Sequence, residues 1–239
     1  MNTYTHMYFL LESLLFNFSQ GHDEQNIPHN SKLLVFSSAV REDNPERQKA
    51  KALGITELRR GLFLAELAKS FDQVISIAGA HGKSTICTML AWICHYHQVE
   101  ASWLIGAKPS GDMPAAQFKG HKTLITEVDE SDGTLAAIHS SLALIPNIED
   151  DHSWSVGGED QLQNLFLQFA DQSDEIFYGQ GSLCDQLLKT YPKAQGHALD
   201  SSVPVPQAGK HNRFNAFLAS QAAQTIGLTE QQASEALAE

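Results

Sequence analysis

The chain has 239 residues, 42% of them hydrophobic and 18% charged, a balance that excludes a disordered or fibrous protein and allows one sizeable core or two modest ones. Its formal net charge is −12, and no Lys or Arg occurs from Thr123 to Leu188, a stretch that includes Glu127, Asp129, Glu130, Asp132, Glu149, Asp150 and Asp151. Such a surface repels nucleic acid and suits bound Mg²⁺ better.

In chain order, the apolar opening Met7 to Leu11 is followed by Glu12, has no basic leader and falls short of the roughly 20 apolar residues that span a bilayer. The expectation is a soluble, cytoplasmic protein. Leu33 to Ser37 is a short apolar run of strand type. Asn44-Pro45 then supplies an N-cap and a first-turn proline for a helix to about Leu53. Ile55 to Leu58 is an extended candidate, and Gly61 to Lys69 has helical periodicity. The basic residues of this region, from Lys32 to Lys69, read as a solvated helix face rather than an anion site. Val74 to Ala78 has the pattern of a buried strand, Gly79-Ala80-His81-Gly82-Lys83-Ser84-Thr85 follows at once, and Ile86, Met89, Leu90, Ile93 and Cys94 recur behind it at helical spacing. Further strands are expected at Ala101–Ile105, Thr123–Val128, Leu142–Ile145 and Glu175–Tyr178, with helices at Asp160–Ala170, Leu183–Lys189, from His211 past Ala223, and from Thr229 to the end. This alternation predicts an α/β fold with a mostly parallel sheet flanked by helices. Cys87, Cys94 and Cys184 form an odd set without metal-ligand spacing and read as core residues of a reduced compartment.

A strand, a glycine-bounded turn and a helix opening on Lys-Ser-Thr place several backbone N–H groups and a helix N-terminus around one point, which is an anion trap. Lys83 would reach β and γ phosphates, Ser84 would offer its hydroxyl to Mg²⁺, and Thr85 would bond a nearer phosphate. The spacing departs from the general Walker pattern, because Ile77 stands where a glycine is expected. Two acidic clusters also follow strand candidates: Glu127 to Asp132, which invites a divalent cation or forms a solvated turn, and Asn147 to His152. A lone histidine such as His152 is more often structural, but three strand ends that each deliver phosphate or metal chemistry alter that reading. On the helix opened by Gly209, Asn212 and Asn215 share a face, suited either to an adenine edge or to capping.

Taken together, these segments resemble the Mur ligases, and within them the branch that joins L-alanine to UDP-N-acetylmuramate. The family's phosphate loop, Gly-Thr-His-Gly-Lys-Thr/Ser-Thr, is answered by Gly79 to Thr85 with Ala80 in place of threonine. Its Glu-Ala-Asp-Glu-Ser-Asp run is answered by Glu127 to Asp132, its Asn-Ile-Glu-x-Asp-His run by Asn147 to His152, and its Gly-x-His-Asn-x-x-Asn signature by Gly209 to Asn215. Upstream, Ser37 to Pro45, Arg59-Arg60 and Leu64 to Leu67 look like the end of the family's UDP-binding domain. Pro146 replaces the family's usual threonine.

The resemblance covers about Ser31 to Gly227. It implies a partial Rossmann-like, UDP-substrate-binding segment over 1–70 and the family's central ATP-binding domain over 71–239. It implies an ATP-dependent amide-bond ligase of peptidoglycan precursor synthesis: ATP phosphorylates the muramyl carboxylate, and L-alanine displaces phosphate. Lys83, Glu127 and His152 would be catalytic, and Ser84, Glu127 and His152 would hold Mg²⁺. Gly79, His81, Gly82, Lys83, Ser84 and Thr85, with His211, Asn212 and Asn215, would bind ATP. A full family member also has a glycine-rich UDP grip before this region and a third domain after it. The chain therefore reads as a shortened ligase completed by a partner chain, or as a nucleotide-binding module without ligase activity. A third alternative is another branch, such as the murein tripeptide ligase or folylpolyglutamate synthetase.

Overall fold

The computed structural model describes residues 19–109, 113–149, 153–154, 156–203, 205–206 and 209–239. Two compact units emerge, Met1–Arg60 and Gly61–Glu239.

The first unit holds a short 3₁₀ turn at Glu24–Asn26 and a β–α–β element of β1 (Leu33–Phe36), α1 (Pro45–Ala52) and β2 (Thr56–Arg59), with the two strands parallel. The helix begins where the sequence predicts: Asn44 accepts from the N–H groups of Glu46 and Arg47, and Pro45 fills the first turn. Arg47 ties the unit together. Its guanidinium bonds Glu57 at 2.8 Å and the Val40 carbonyl at 3.1 Å, and lies 4.0 Å above the Phe36 ring. These contacts satisfy a largely buried charge on three sides.

α2 (Arg60–Ala68) lays Leu64, Ala65 and Ala68 into the core of the second unit. That unit continues with β3 (Gln73–Ile77), α3 (Lys83–Tyr96), β4 (Ala101–Leu104), β5 (Ala116–Gln117), β6 (Thr123–Glu127) and β7 (Ser140–Ile145). It closes with α4 (Glu159–Asp171), β8 (Ser173–Gly179), α5 (Ser182–Leu188), β9 (Ala194–His197), α6 (Lys210–Thr225) and α7 (Glu230–Ala238).

Its seven strands lie in the order β5-β4-β6-β3-β7-β8-β9, parallel throughout except that β5 runs antiparallel to β4. The alternation of strands and helices thus produces the expected parallel sheet. Two elements absent from the sequence expectation are the edge strands β5 and β9; neither has an apolar run to announce it.

The central strands are continuously apolar because helices cover both sheet faces. Ile75 and Ile77 point toward a core built with α3, α6 and α7, whereas Val74 and Ala78 point toward one built with α2, α4 and α5. Small residues let α6 approach closely, with Ala216, Ala219, Ala222 and Ala223 all fully buried. Trp92 of α3 crosses to α7, its indole N–H donating to the Ala236 carbonyl at 2.7 Å. The buried cysteines are inert packing groups: burial pushes the Cys94 and Cys184 thiols up to about 12.

Phe169 of α4 is fully buried in the second core. Phe169→Ala is expected to lower unfolding stability by about 3–5 kcal/mol through lost transfer energy and cavity formation. A urea titration reads this directly, and a loss under about 1 kcal/mol, the scale of a surface change, would contradict the packing.

Candidate functional site

Strand order gathers the sequence motifs. β6, β3 and β7 are adjacent and parallel, so their carboxyl ends deliver Glu127 and the following acids, the Gly79–Gly82 loop, and Asn147 side by side. The chain leaves β3 toward β4 on one side and later fills β7 on the other. Such a switch point is where open α/β sheets leave a crevice.

The loop is shaped by close contacts. Gly79 has φ +136°, and a Cβ there would stand 2.6 Å from the Asn147 carbonyl oxygen; Gly82 has φ +88°, and a Cβ there would stand 2.8 Å from Asn215 Oδ1. Both positions need glycine for the backbone angle and for space. Asn147 holds the turn between them: its Oδ1 accepts from the His81 N–H at 2.8 Å and its Nδ2 donates to the His81 carbonyl at 3.0 Å. Gly82 is the N-cap of α3 and carries no side chain, so the first-turn N–H groups of Lys83, Ser84 and Thr85 have neither an intrahelical acceptor nor a side-chain cap. That end of the helix carries partial positive charge and suits a phosphate.

The acids divide by role. Glu127 accepts from the Ser84 hydroxyl at 2.9 Å and from the Gly106 N–H at 2.6 Å, so the helix start is joined to the end of β6. Asp129 is spent on a local turn, accepting from the N–H and hydroxyl of Ser131. Asp132 is buried, accepts from the N–H and hydroxyl of Thr134, and lies against Gly61, where a Cβ would stand 2.5 Å from its Oδ1. Four acids in six residues are therefore not one cation cluster. Among the described residues, no group of three or more His, Cys, Asp and Glu side chains converges as a metal cage.

Lys83 folds back over the loop, donating to the carbonyls of Gly79 and Ala80, with Glu130 Oε2 3.8 Å from its ammonium. His81 lies 3.6 Å from Glu149, both largely exposed, an arrangement that contributes little. Cys87 sits one turn behind Ser84, and burial reinforced by the Glu127 charge pushes its thiol well above the ordinary range.

Of the predicted site residues, the structure brings together Gly79, His81, Gly82, Lys83, Ser84, Thr85, Glu127 and Asn215. Asn215 is buried, its side-chain amide lying against Gly82 at the loop itself. His211 and Asn212 stand at the start of α6, where Lys210 and Arg213 help to line a hollow of about 290 Å³ with Leu199, Asp200, Ser201 and Ser202. His152, with Asp150 and Asp151, lies outside the described residues. Three contributors escape the predicted set. Asn147 and Glu130 stood within recognised runs without a role, and Gly106 carried no signal at all.

A family model described as "Mur ligase family, catalytic domain" matches residues 16–72. The UDP-N-acetylmuramate–L-alanine ligase of Acidithiobacillus ferrooxidans is 36% identical over 165 residues, covering 69% of this chain and 35% of that protein. The enzyme of the same name from Carboxydothermus hydrogenoformans is 29% identical over 252 residues, covering 92% and 54%. The chain thus spans about a third to a half of the length of these curated relatives. Among solved structures, UDP-N-acetylmuramate:L-alanyl-γ-D-glutamyl-meso-diaminopimelate ligase from Neisseria meningitides superposes with a TM-score of 0.85 at 20% identity, covering 99% of this chain and 87% of that one. UDP-N-acetylmuramate–alanine ligase from Thermotoga maritima gives 0.83 at 19% identity, covering 97% and 60%. These two likenesses establish the fold.

Gly82→Ala is expected to destabilise the chain by more than the about 1–2 kcal/mol of left-handed backbone strain, since its methyl also displaces Asn215. Gly227 is the control: it has φ +91° and nothing within 4 Å of a built Cβ. Equal losses for Gly82→Ala and Gly227→Ala in urea titrations would show that Asn215 does not pack on the loop.

Proposed function

Because the chain belongs to the Mur ligase family, we propose that it is the ATP-handling portion of an acid–amino-acid ligase that joins L-alanine to UDP-N-acetylmuramate in peptidoglycan precursor synthesis. The observation that carries the reading is the contact between Ser84 and Glu127 beside the uncapped start of α3. A glycine loop, a hydroxyl and a carboxylate meet there, at the adjacent ends of β3 and β6 and the helix that follows β3.

In this reading the first-turn N–H groups of α3 bind the polyphosphate, and Lys83 swings from the loop carbonyls to the terminal phosphate, where its charge offsets the negative charge of the transferring group. ATP transfers its terminal phosphoryl group to the muramyl carboxylate, releasing ADP, and the amino group of L-alanine attacks the acyl carbon, giving up a proton and expelling inorganic phosphate as the amide forms. Ser84 and Glu127 are hard oxygen donors 2.9 Å apart, a pair that fits Mg²⁺, and His152 completes the proposed set. When bound, Mg²⁺ would neutralise phosphate charge and let an acidic site accept anionic substrates. His211, Asn212 and Asn215, in the first turns of α6, are assigned to the adenine nucleotide, with Asn215 also packed against Gly82 of the loop.

We assign residues 1–70 to the end of a UDP-substrate-binding domain, its last helix α2 packing into the core of the second unit, and 71–239 to the ATP-binding domain. None of the described helices is long and apolar enough to cross a membrane. We place the reaction in the cytoplasm, where the free buried cysteines stay reduced.

Two measurements test the reading. Calorimetry with MgATP should show one site, and Lys83→Ala should weaken it by about tenfold or more, the scale of a lost charge-assisted bond. Undiminished binding would remove Lys83 from the phosphates. Phosphate release should require both UDP-N-acetylmuramate and L-alanine. Release with the tripeptide in place of L-alanine would move the chain to the tripeptide-ligase branch, and MgATP binding without release would leave a nucleotide-binding module.

A further inference from the structure

Glu130 has no part in the reading above, on which this inference rests. Its side chain is 10% exposed, its Oε2 is fully buried without a hydrogen-bond partner, and the Lys83 ammonium stands 3.8 Å from that oxygen. A buried carboxylate with an unmet lone pair is costly unless a cation stands close by. The neighbouring acids are otherwise engaged: Glu127 has both oxygens bonded, and Asp129 and Asp132 accept within their own turns. Lys83 in turn is not extended into solvent but gathered over the loop by the carbonyls of Gly79 and Ala80.

We propose that Glu130 is the resting counter-ion of Lys83, a positioning residue that holds the ammonium over the phosphate loop while the site is empty and releases it to the terminal phosphate when nucleotide binds. A lysine already gathered at the loop loses less conformational freedom on binding than one sweeping through solvent. Its four-carbon stem lets one charge exchange one oxygen partner for another. The exchange has a sign. Glu130 competes with the phosphate for the same cation, so it weakens binding of the triphosphate while keeping Lys83 in place.

The test is a cycle of four full-length chains: wild type, Glu130→Gln, Lys83→Ala and the double variant. Each is titrated calorimetrically with the β,γ-imido analogue of ATP and Mg²⁺. Glu130→Gln should tighten binding about tenfold when Lys83 is present, the size of coupling between contacting charged groups, and less than about twofold when Lys83 is absent. No tightening, or equal tightening in both backgrounds, would overturn the proposal, because equal gains reflect only the general removal of negative charge. Melting of the same chains without ligand tests the resting pair. Lys83→Ala should lower the melting temperature by stranding Glu130, and adding Glu130→Gln should recover most of the loss; additive effects would overturn the pairing. If none of the four chains binds nucleotide, the nucleotide reading falls and the hand-over with it, a pattern distinct from wild-type binding without coupling.

Discussion

The start of α3 carries a set of backbone N–H groups that the fold leaves without an internal acceptor, and the surrounding site is organised about that unmet charge. A glycine at the N-cap cannot supply the oxygen that Ser, Thr, Asn or Asp would place there. The chain instead surrounds the position with second-tier contacts. Asn147 fixes the His81 peptide from the end of β7, Asn215 fills the space beside Gly82 from α6, and Glu127 ties Ser84 to Gly106 from the end of β6. Elements far apart in sequence therefore hold the loop in one shape while the N–H groups themselves stay available. A site prepared in this way does not reorganise when an anion arrives, which is where electrostatic stabilisation gains most of its strength.

The same arrangement gives the proposed polyphosphate a positive point of entry into an acidic chain. Among the described carboxylates near the loop, Glu127 is engaged by Ser84 and Gly106, Asp129 and Asp132 by local turns, Glu130 stands beside Lys83, and the largely exposed Glu149 beside His81. Lys83 and the helix start are then the positive groups the anion meets. Mg²⁺ at Ser84 and Glu127, as proposed, would add to them and turn a repelling strand end into an attracting one.

Much of this was legible in the sequence because local physics and tertiary structure agree. β3 reads as a buried strand since helices cover both its faces, and α3 reads as a helix from its recurring apolar residues. The acidic runs fall at strand ends, and parallel pairing of β6, β3 and β7 then brings them together. What was not legible depends on partners remote in the chain. β5 is two residues long and exists through its pairing with β4, and β9, with sequence Ala-Gln-Gly-His, exists through its pairing with β8. The clamp between Asn147 and His81 spans 66 residues. Glu130 cannot be told from Asp129 or Asp132 by composition, because only the turn that follows β6 decides which carboxylate faces Lys83. Asn215 shares a helix face with Asn212 in sequence, yet close packing of α6 on α3 buries it at Gly82.

The central claim is that the start of α3 receives the phosphates. Amide hydrogen exchange across residues 79–85, followed with and without saturating MgATP, tests it most directly. The N–H groups of Gly82 to Thr85 should slow by about tenfold or more as they gain acceptors and local opening is suppressed. Unchanged exchange there, with protection appearing in another segment, would contradict the account and move the nucleotide elsewhere.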